Sequence, residues 1–298
     1  MSTLDTKHFK GYRDKLNITL SILPITVLTI FIMVYPLISV FYHGFTNWNI
    51  SGTTFIGLGN YSNLLKSGKL TLLFRNNLIM LLAIPVQILF SLLVAYLLYE
   101  ELWGWKQFRI LFYLPAVLSS VVIGYLFRTF FALNGPLNDL LRLLKLKLLV
   151  VNWLSRGSTA FIVVIIAMIW SQFGMAVLIF LAGMSNIETY VLEGAVVDGA
   201  NWWQRFFRIV LPMIVGTIEF YMIVLIIIFF TASFGFIYSI TSGGPGYSTT
   251  TLEYMIYLKA FKSNLLGQSS ALATILFLIV LILVIFTFKV FKKLGDWQ

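Results

Sequence analysis

The chain has 298 residues, of which 59% are hydrophobic and only 11% are charged, and its formal net charge is +10. A water-soluble domain carries about 25% charged residues, so this composition excludes a soluble globular protein and indicates an integral membrane protein. Basic residues that flank apolar runs meet lipid headgroups, so the positive charge does not indicate a nucleic-acid partner. Long runs of Leu, Ile, Val and Phe predict an all-α protein, since barrel strands would alternate over about 10 residues.

Six apolar runs approach the roughly 20 residues that a bilayer requires. They lie at about 19–42, 76–99, 109–131, 159–182, 209–239 and 271–291. The sequence thus predicts a polytopic protein with one six-helix permease domain (19–291) between short tails (1–18 and 292–298). An even number of spans places both tails on one side, and their Lys and Arg residues make that side cytoplasmic. The excess of basic residues on that side is small, and the fifth run is long enough to be tilted or broken.

Two loops have a recognisable local pattern. The stretch FIGLGNYSNLL (55–65) reads as a glycine-punctuated turn that leads into a short helix. The stretch NGPLNDLLRLLKLKLL (134–149) has leucines at helical spacing beside basic residues, which predicts an amphipathic helix at the membrane interface. An ordinary connector between spans is an equal alternative for the second stretch.

The segment 185–212 interrupts the apolar chain with acids, glycines, arginines and tryptophans. Ser185 with Glu188 has the capping-box spacing and predicts a helix that begins near Asn186. Asp198-Gly199 predicts the end of that helix, because glycine accepts the left-handed conformation. Asn201 with Gln204 repeats the cap pattern and predicts a second helix. Pro212 predicts a kink at the entry to the fifth span.

The two predicted helices have different surfaces. The first has an apolar strip of Val191, Leu192, Ala195 and Val196 beside Glu188 and Glu193. The second has aromatic residues that suit the headgroup level, namely Trp202, Trp203, Phe206 and Phe207. Arg205 and Arg208 are placed for lipid phosphate or acidic partners. A plain interfacial hairpin is the alternative interpretation.

The order E-x-A, three residues, then G, followed by I-x-L-P, resembles the EAA loop of permease subunits of ATP-binding-cassette (ABC) importers. Its residues here are Glu193, Ala195, Asp198, Gly199, Ala200, Ile209, Leu211 and Pro212. Gly194 departs from the pattern, since alanine is commoner there, and glycine slightly weakens a helix. The strings FIGLGNYSNLL, YLPAVLSSVVIGYLFRTFF, IFLAGMSNI and TSGGPGYSTTTLEYMIYLKAF also resemble the maltose-type and glycerol-3-phosphate-type sugar permeases, in order along nearly the whole chain.

The resemblance implies that the loop is cytoplasmic and forms a coupling helix seated in a groove of an ATPase subunit. The coupling residues would be Glu193, Ala195, Asp198, Gly199, Ala200, Arg205, Leu211 and Pro212. Glu193 would contact the groove and Asp198 would fix the turn. The implied partners are a second, homologous permease that forms a heterodimer, two ATPases that hold ATP and Mg²⁺, and an extracytoplasmic solute-binding protein. The implied location is a prokaryotic inner membrane with both termini cytoplasmic.

The same resemblance places six residues at substrate-contacting positions: Ser171, Gln172, Met175, Phe229, Phe230 and Ser233. Polar side chains in a membrane usually face the bundle interior, which favours Gln172. Asparagines expected in the fifth span are replaced here by Phe230 and Ser233. Helix packing through small residues is the alternative role for this group. Glu219, within the fifth run, favours a structural ion pair or a position near the interface over proton coupling.

The chain has no catalytic or metal-binding pattern. It contains no cysteine, and His8 and His43 lie far apart. Gly68-Lys69 is followed by Leu, so no Walker A motif occurs and this chain binds no ATP cofactor itself. The resulting prediction is the translocation subunit of an ATP-driven sugar or oligosaccharide importer, not an enzyme. The alternatives are an ion-coupled carrier, although mid-membrane ionisable groups are nearly absent, and an ABC permease for another solute such as glycerol phosphate.

Overall fold

The computed structural model describes residues 18–49, 51–101 and 105–295. Four helices are long and apolar enough to cross a membrane, and up to six crossings result if each of two bent helix pairs is one span. The described residues form helices with only isolated β-bridges between them. The all-α polytopic prediction is therefore confirmed. The predicted tails fall mainly on residues 1–17 and 296–298, which lie outside the described residues.

The helices follow one another in a simple order. They are α1 (Ile18–His43), α2 (Gly59–Lys66), α3 (Lys69–Tyr99), α4 (Trp105–Val117), α5 (Ser120–Phe130), α6 (Pro136–Leu143), α7 (Gly157–Met184), α8 (Thr189–Val197), α9 (Trp202–Met213), α10 (Val215–Thr231), α11 (Phe234–Ile240), α12 (Leu252–Tyr257) and α13 (Leu266–Gly295). π-Helical turns lie within α1 (Ile30–Val34), within α9 (Phe206–Val210) and directly after α12 (Leu258–Lys262).

The spans run alternately between two ends of the bundle. One end carries the segment that joins α7 to α9 (residues 185–201) and is called the loop end. The other carries the start of α3, the start of α7 and the 241–251 turn, and is called the opposite end. Helix α3 packs against α7 and α10, and α13 packs against α10 and α12. The core between them holds large buried side chains such as Met80, Met168, Phe180 and Tyr221.

The third predicted span is not one continuous helix, which corrects the interpretation of 109–131. Helix α4 ends at Val117 and α5 begins at Ser120, and the two are inclined by 106°. Proline lies inside α4 at Pro115, where its ring disturbs the helix. The Ser119 side chain then accepts a hydrogen bond from the Val122 amide and starts a new helix. Apolarity alone concealed this break.

The fifth run is broken, as its length indicated. Helices α9 and α10 are inclined by 73° across Ile214, and the run breaks again between α10 and α11. At the second break the Ser233 amide donates to the Glu253 carboxylate at 2.8 Å, and the Ser233 hydroxyl donates to the same oxygen at 2.6 Å. A carboxylate from α12 thus binds an amide that the interrupted helix leaves free.

Asparagine side chains fix the loops at the opposite end. The Asn60 amide donates to the carbonyls of Gly44 and Thr46, at 2.9 and 2.8 Å. Asn138 donates to the carbonyls of Leu133 and Val151 and accepts from the Trp153 indole. Both asparagines are buried. They lie in the first turns of α2 and α6, the helices that the two loop patterns indicated. Helix α6 covers only part of the predicted 134–149 stretch, since it ends at Leu143 and Lys145 is left-handed with φ +59°.

Small residues let α5 and α11 approach closely. Ser120 and Gly124 lie four residues apart on α5, and Gly235 and Ser239 lie four residues apart on α11. Ser120 faces Gly235, and Gly124 faces Ser239. A Cβ added at Gly124 would overlap the Ser239 side chain, and a Cβ at Gly235 would overlap that of Ser120. Such reciprocal small residues are a standard route to close helix packing in membranes.

Helix α1 is apolar and exposed over most of its length. None of the residues in its most apolar 18-residue window is buried within the chain. Only its last turns, from Ser39 onward, become partly buried, where the helix reaches α13. The bundle described here therefore consists of α3–α13, with α1 joined to it at one end.

Replacement of Gly124 by Ala should destabilise the protein by about 1–3 kcal/mol, because overpacking forces α5 away from α11. The check is the thermal unfolding midpoint of the protein in detergent. Gly216→Ala is the matched control, since nothing lies within 4 Å of a Cβ at that helical position. An equal change in both variants would contradict the close-packing account.

Candidate functional site

The segment 185–201 contains the helix–turn–helix that the sequence predicts, but its first helix begins later than predicted. Ser185 is the C-cap of α7, and its hydroxyl donates to the Leu181 carbonyl at 2.9 Å. Helix α8 begins at Thr189 with Glu188 as N-cap and without a side-chain cap hydrogen bond. The predicted Ser185–Glu188 capping box is therefore wrong, because the Ser185 hydroxyl bonds back to the preceding helix.

The turn and the second cap are confirmed. Gly199 has φ +78°, a left-handed conformation that glycine adopts without strain. The Ala200 amide donates to the Ala195 carbonyl at 2.9 Å and closes the end of α8. Asn201 and Gln204 then form a reciprocal capping box. The Asp198 side chain is exposed, and no hydrogen bond involving it is found among the described residues; backbone bonds hold the turn.

Helix α8 divides the predicted apolar strip between two faces. Leu192 and Ala195 are buried against the bundle. Val196 and Val197 face outward with exposed fractions of 54% and 86%, and Tyr190 is also exposed. The strip is therefore not one docking surface: the outward face, defined here as Tyr190, Glu193, Val196 and Val197, is the part available to a partner.

An ion pair ties α9 to the end of α3. Arg205 Nη1 lies 3.3 Å from Glu100 Oε1, and the two side chains are 18% and 24% exposed. Arg205 thus has a partner inside the chain, where the sequence suggested lipid phosphate or an external acid. Glu100 is also the C-cap residue of α3, so this contact fixes the loop to the end of a 31-residue helix.

Aromatic packing reinforces the ion pair. The Tyr96 ring lies 4.8 Å from that of Trp202 and 5.2 Å from that of Phe206. Phe206 is fully buried, whereas Trp203 and Phe207 are about half exposed. Only Trp203 and Phe207 of the predicted aromatic group therefore have the exposure that the headgroup level requires.

The predicted residues at the end of the segment lie beside the bend into α10. Leu211 and Pro212 occupy the last helical turn of α9, directly after its π-helical turn. The 73° bend follows at Ile214, close to the predicted kink. Movement of α8 and α9 would consequently reach α10 through this bend.

The six predicted substrate residues do not form one exposed group in this chain. Met175 is 43% exposed and Gln172 is half-buried, both on α7. The other four, Ser171, Phe229, Phe230 and Ser233, are buried. The Tyr221 hydroxyl donates to the backbone carbonyl of Gln172 at 3.1 Å and holds this part of α7 in place.

Two acidic residues with structural importance escaped the sequence reasoning. Glu100 binds Arg205, and Glu253 binds Ser233. Each partner lies far away along the chain or in another helix, so only the fold reveals it. Glu219 is half-buried, and no basic side chain of the described residues lies within 4 Å of its carboxylate.

The described residues contain no cluster of three or more His, Cys, Asp or Glu side chains that could hold a metal ion. The segment 185–212 consists of the short helix α8, the Gly199 turn and the capped helix α9, which the Arg205–Glu100 ion pair ties to α3.

Comparison with known proteins places these features in a family. The family model described as binding-protein-dependent transport system inner membrane component matches residues 55–291 of this chain. The multiple sugar-binding transport system permease protein MsmF of Streptococcus mutans is 32% identical over 280 residues, which cover 92% of this chain and 94% of the relative. The sn-glycerol-3-phosphate transport system permease protein UgpA of Brucella abortus is 32% identical over 278 residues, which cover 91% of this chain and 92% of the relative.

Solved structures have the same fold. A chain of a bacterial ABC transporter involved in the import of the acidic polysaccharide alginate superposes with a TM-score of 0.81 at 22% identity, covering 96% of this chain and 99% of the other. A second structure is that of a bacterial alginate ABC transporter in complex with an alginate pentasaccharide-bound periplasmic protein. One of its chains superposes with a TM-score of 0.82 at 22% identity, covering 96% of this chain and 98% of the other.

Replacement of either Arg205 or Glu100 by Gln should destabilise the protein by about 1–3 kcal/mol, between the values for exposed and buried ion pairs. The swapped variant Glu100→Arg with Arg205→Glu should recover part of the loss. Unfolding midpoints in a double-mutant cycle measure the coupling. The exposed Asp139–Arg142 pair is the matched control and should change stability by less than about 0.5 kcal/mol. Equal coupling in both pairs would contradict an anchoring role for Arg205.

Proposed function

Because this chain belongs to the family of binding-protein-dependent transport system inner membrane components, we propose that it is the translocation subunit of an ATP-driven importer for a sugar or oligosaccharide. The observation that carries the proposal is the loop end: a short helix with an outward face, a left-handed Gly199 turn and a second helix anchored by the Arg205–Glu100 pair. The name of the Streptococcus relative supports a sugar as the solute.

The complete importer in this proposal has four kinds of component. This chain pairs with a second, related permease, and two ATPase subunits bind ATP and Mg²⁺ and hydrolyse the nucleotide. An extracytoplasmic solute-binding protein delivers the sugar. The solved alginate transporter in complex with a periplasmic protein supports the last component.

The proposed orientation places the loop end in the cytoplasm. Lys289, Lys292 and Lys293 lie in the last turns of α13, at the same end of the bundle as the 185–201 segment. Basic residues are enriched on the cytoplasmic side of membrane proteins, which supports a cytoplasmic C-terminus. The even number of crossings then places the N-terminus on that side as well.

Coupling in this proposal is the transfer of a rigid-body displacement. The outward face of α8 docks on an ATPase, with Val197 and Tyr190 as apolar contacts and Glu193 as a charge-assisted one. The Gly199 turn passes the movement to α9, and the Arg205–Glu100 pair passes it to α3. The bend at Ile214 carries it into α10. Both α3 and α10 pack in the core, so the bundle moves with the loop.

The proposed sugar path follows the exposed face of α7. Gln172 and Met175, three residues apart on α7, lie on this face, and an amide with a thioether suits the hydroxyls and the apolar side of a sugar. The buried residues Ser171, Phe229, Phe230 and Ser233 then shape and support this face. A second candidate solute is glycerol phosphate, which the name of the Brucella relative favours.

The reconstituted complex in liposomes should take up sugar only when ATP is inside and the solute-binding protein is outside. Radiolabelled uptake measures this, with the cognate sugar first identified by a binding screen on the solute-binding protein. Complexes with an ATPase-inactive partner serve as the control. Uptake that follows a proton gradient without ATP would reject the proposal in favour of an ion-coupled carrier.

Replacement of Gly199 by Ala should lower sugar-stimulated ATP hydrolysis by up to about fivefold. A Cβ in the left-handed region costs about 1 kcal/mol, which is a factor of about 5 in the equilibrium constant for forming the turn. The measurement is phosphate release by the complex in nanodiscs. Gly68→Ala is the matched control, because that glycine is also left-handed with open space around it but lies at the opposite end of the bundle. Unchanged hydrolysis and intact ATPase attachment in Gly199→Ala would reject the coupling role.

A further inference from the structure

A cavity of about 530 Å³ lies at the opposite end of the bundle, away from the coupling loop. It is bounded by the start of α3, the start of α7 and the 241–251 turn. Its polar lining residues are Arg75, Asn76, Ser158 and Ser248, and Ile79 and Ile162 lie one turn further along their helices. None of these residues has a role in the transport proposal above.

The cavity favours negative charge. Arg75 is exposed, and no carboxylate of the described residues lies within 4 Å of it. The 28-residue helix α7 starts at the cavity with Gly157 and Ser158, without a side-chain cap and without an acid in its first turn. Free amides and the helix dipole attract anions at such a terminus. Lys69, whose ammonium lies 4.2 Å from the centre of the Tyr247 ring, adds positive charge nearby.

The cavity also offers a buried acceptor without a donor. Asn76 is fully buried, and its Nδ2 donates to the carbonyls of Thr250 and Tyr247, at 2.8 and 3.4 Å. Carbonyls only accept hydrogen bonds, so these contacts fix which end of the amide is the oxygen. Asn76 Oδ1 has no partner, and neither has the buried Ser248 hydroxyl. An unsatisfied buried acceptor costs free energy, and a simple anion, which also accepts, would not relieve it.

We propose that this cavity binds a hydroxylated oxyanion, that is, a phosphate or carboxylate that carries a neighbouring hydroxyl group. The oxyanion would accept from Arg75, Ser158 and the first amides of α7. The neighbouring hydroxyl would donate to Asn76 Oδ1. A neutral sugar would leave Arg75 without a partner, and sulfate carries no hydroxyl that could donate to Asn76.

Two sources supply this chemistry. A phosphatidylglycerol headgroup is a glycerol phosphate, and the exposed side chains of Ile79 and Ile162 would contact its acyl chains. A soluble glycerol phosphate or uronate presents the same groups from the aqueous side. The binding measurement below needs no transport, so its result does not depend on the proposed function.

The first test uses the assembled complex in nanodiscs of phosphatidylcholine alone. Calorimetric titration should show tighter binding of glycerol 3-phosphate than of sulfate or glycerol. Arg75→Gln should weaken that binding about tenfold or more, as loss of a charge-assisted hydrogen bond does. Ser158→Phe, which fills the cavity, should weaken it without a change of charge. Lys66→Gln removes a charge from the same end outside the cavity and should leave binding within about twofold.

The second test adds phosphatidylglycerol to the nanodiscs. Native mass spectrometry should then detect this lipid on the unmodified complex and on Lys66→Gln but not on Arg75→Gln, and the lipid should displace glycerol 3-phosphate if the headgroup is the occupant. Binding of glycerol 3-phosphate that persists against this lipid and still needs Arg75 identifies a soluble occupant. The proposal is overturned if neither ligand shows binding that depends on Arg75, if Lys66→Gln is equally impaired, or if sulfate binds as tightly as glycerol 3-phosphate.

Discussion

The fold depends on one constraint: inside a bilayer the protein itself must satisfy the hydrogen-bonding groups of its backbone. Continuous helices meet that constraint unaided, but this chain interrupts its helices repeatedly. At several of these interruptions a polar side chain binds backbone groups. Ser119 caps α5, Glu253 binds the amide at the start of α11, and Asn60 and Asn138 bind loop carbonyls. Several polar residues of this apolar chain thus lie where the backbone is irregular, whereas Gln87 and Ser91 are buried within the continuous helix α3.

The sequence predicted those features that depend on local chemistry. The Asn201–Gln204 cap and the Gly199 turn are set by residues within four positions of one another, and both were found. The long apolar runs gave the continuous spans, although α3 and α13 begin several residues earlier than the runs, because polar first turns do not raise hydropathy. The Ser185 cap failed for a related reason: a hydroxyl between two helices can bond to either, and local spacing does not reveal which one wins.

Features that depend on distant contacts were beyond such reasoning. The partner of Arg205 lies at the end of another helix, and the outward and inward sides of α8 are decided by what α8 packs on. The substrate residues show the same limit. Their positions came from resemblance, and the structure divides them between an exposed face of α7 and the buried core. The cavity beside Arg75 has no local signal at all, since its lining comes from three separate segments.

The bend at Ile214 makes α10 a lever. With 17 residues the helix is about 25 Å long, so a rotation of about 10° at the bend would move its far end by about 4 Å. That far end is where Ser233 is bound to Glu253, and through α12 the movement would reach the turn beside the cavity. A small angular change at one membrane surface would thereby become a displacement of atomic size at the other, with the gain set simply by the length of an unbroken helix.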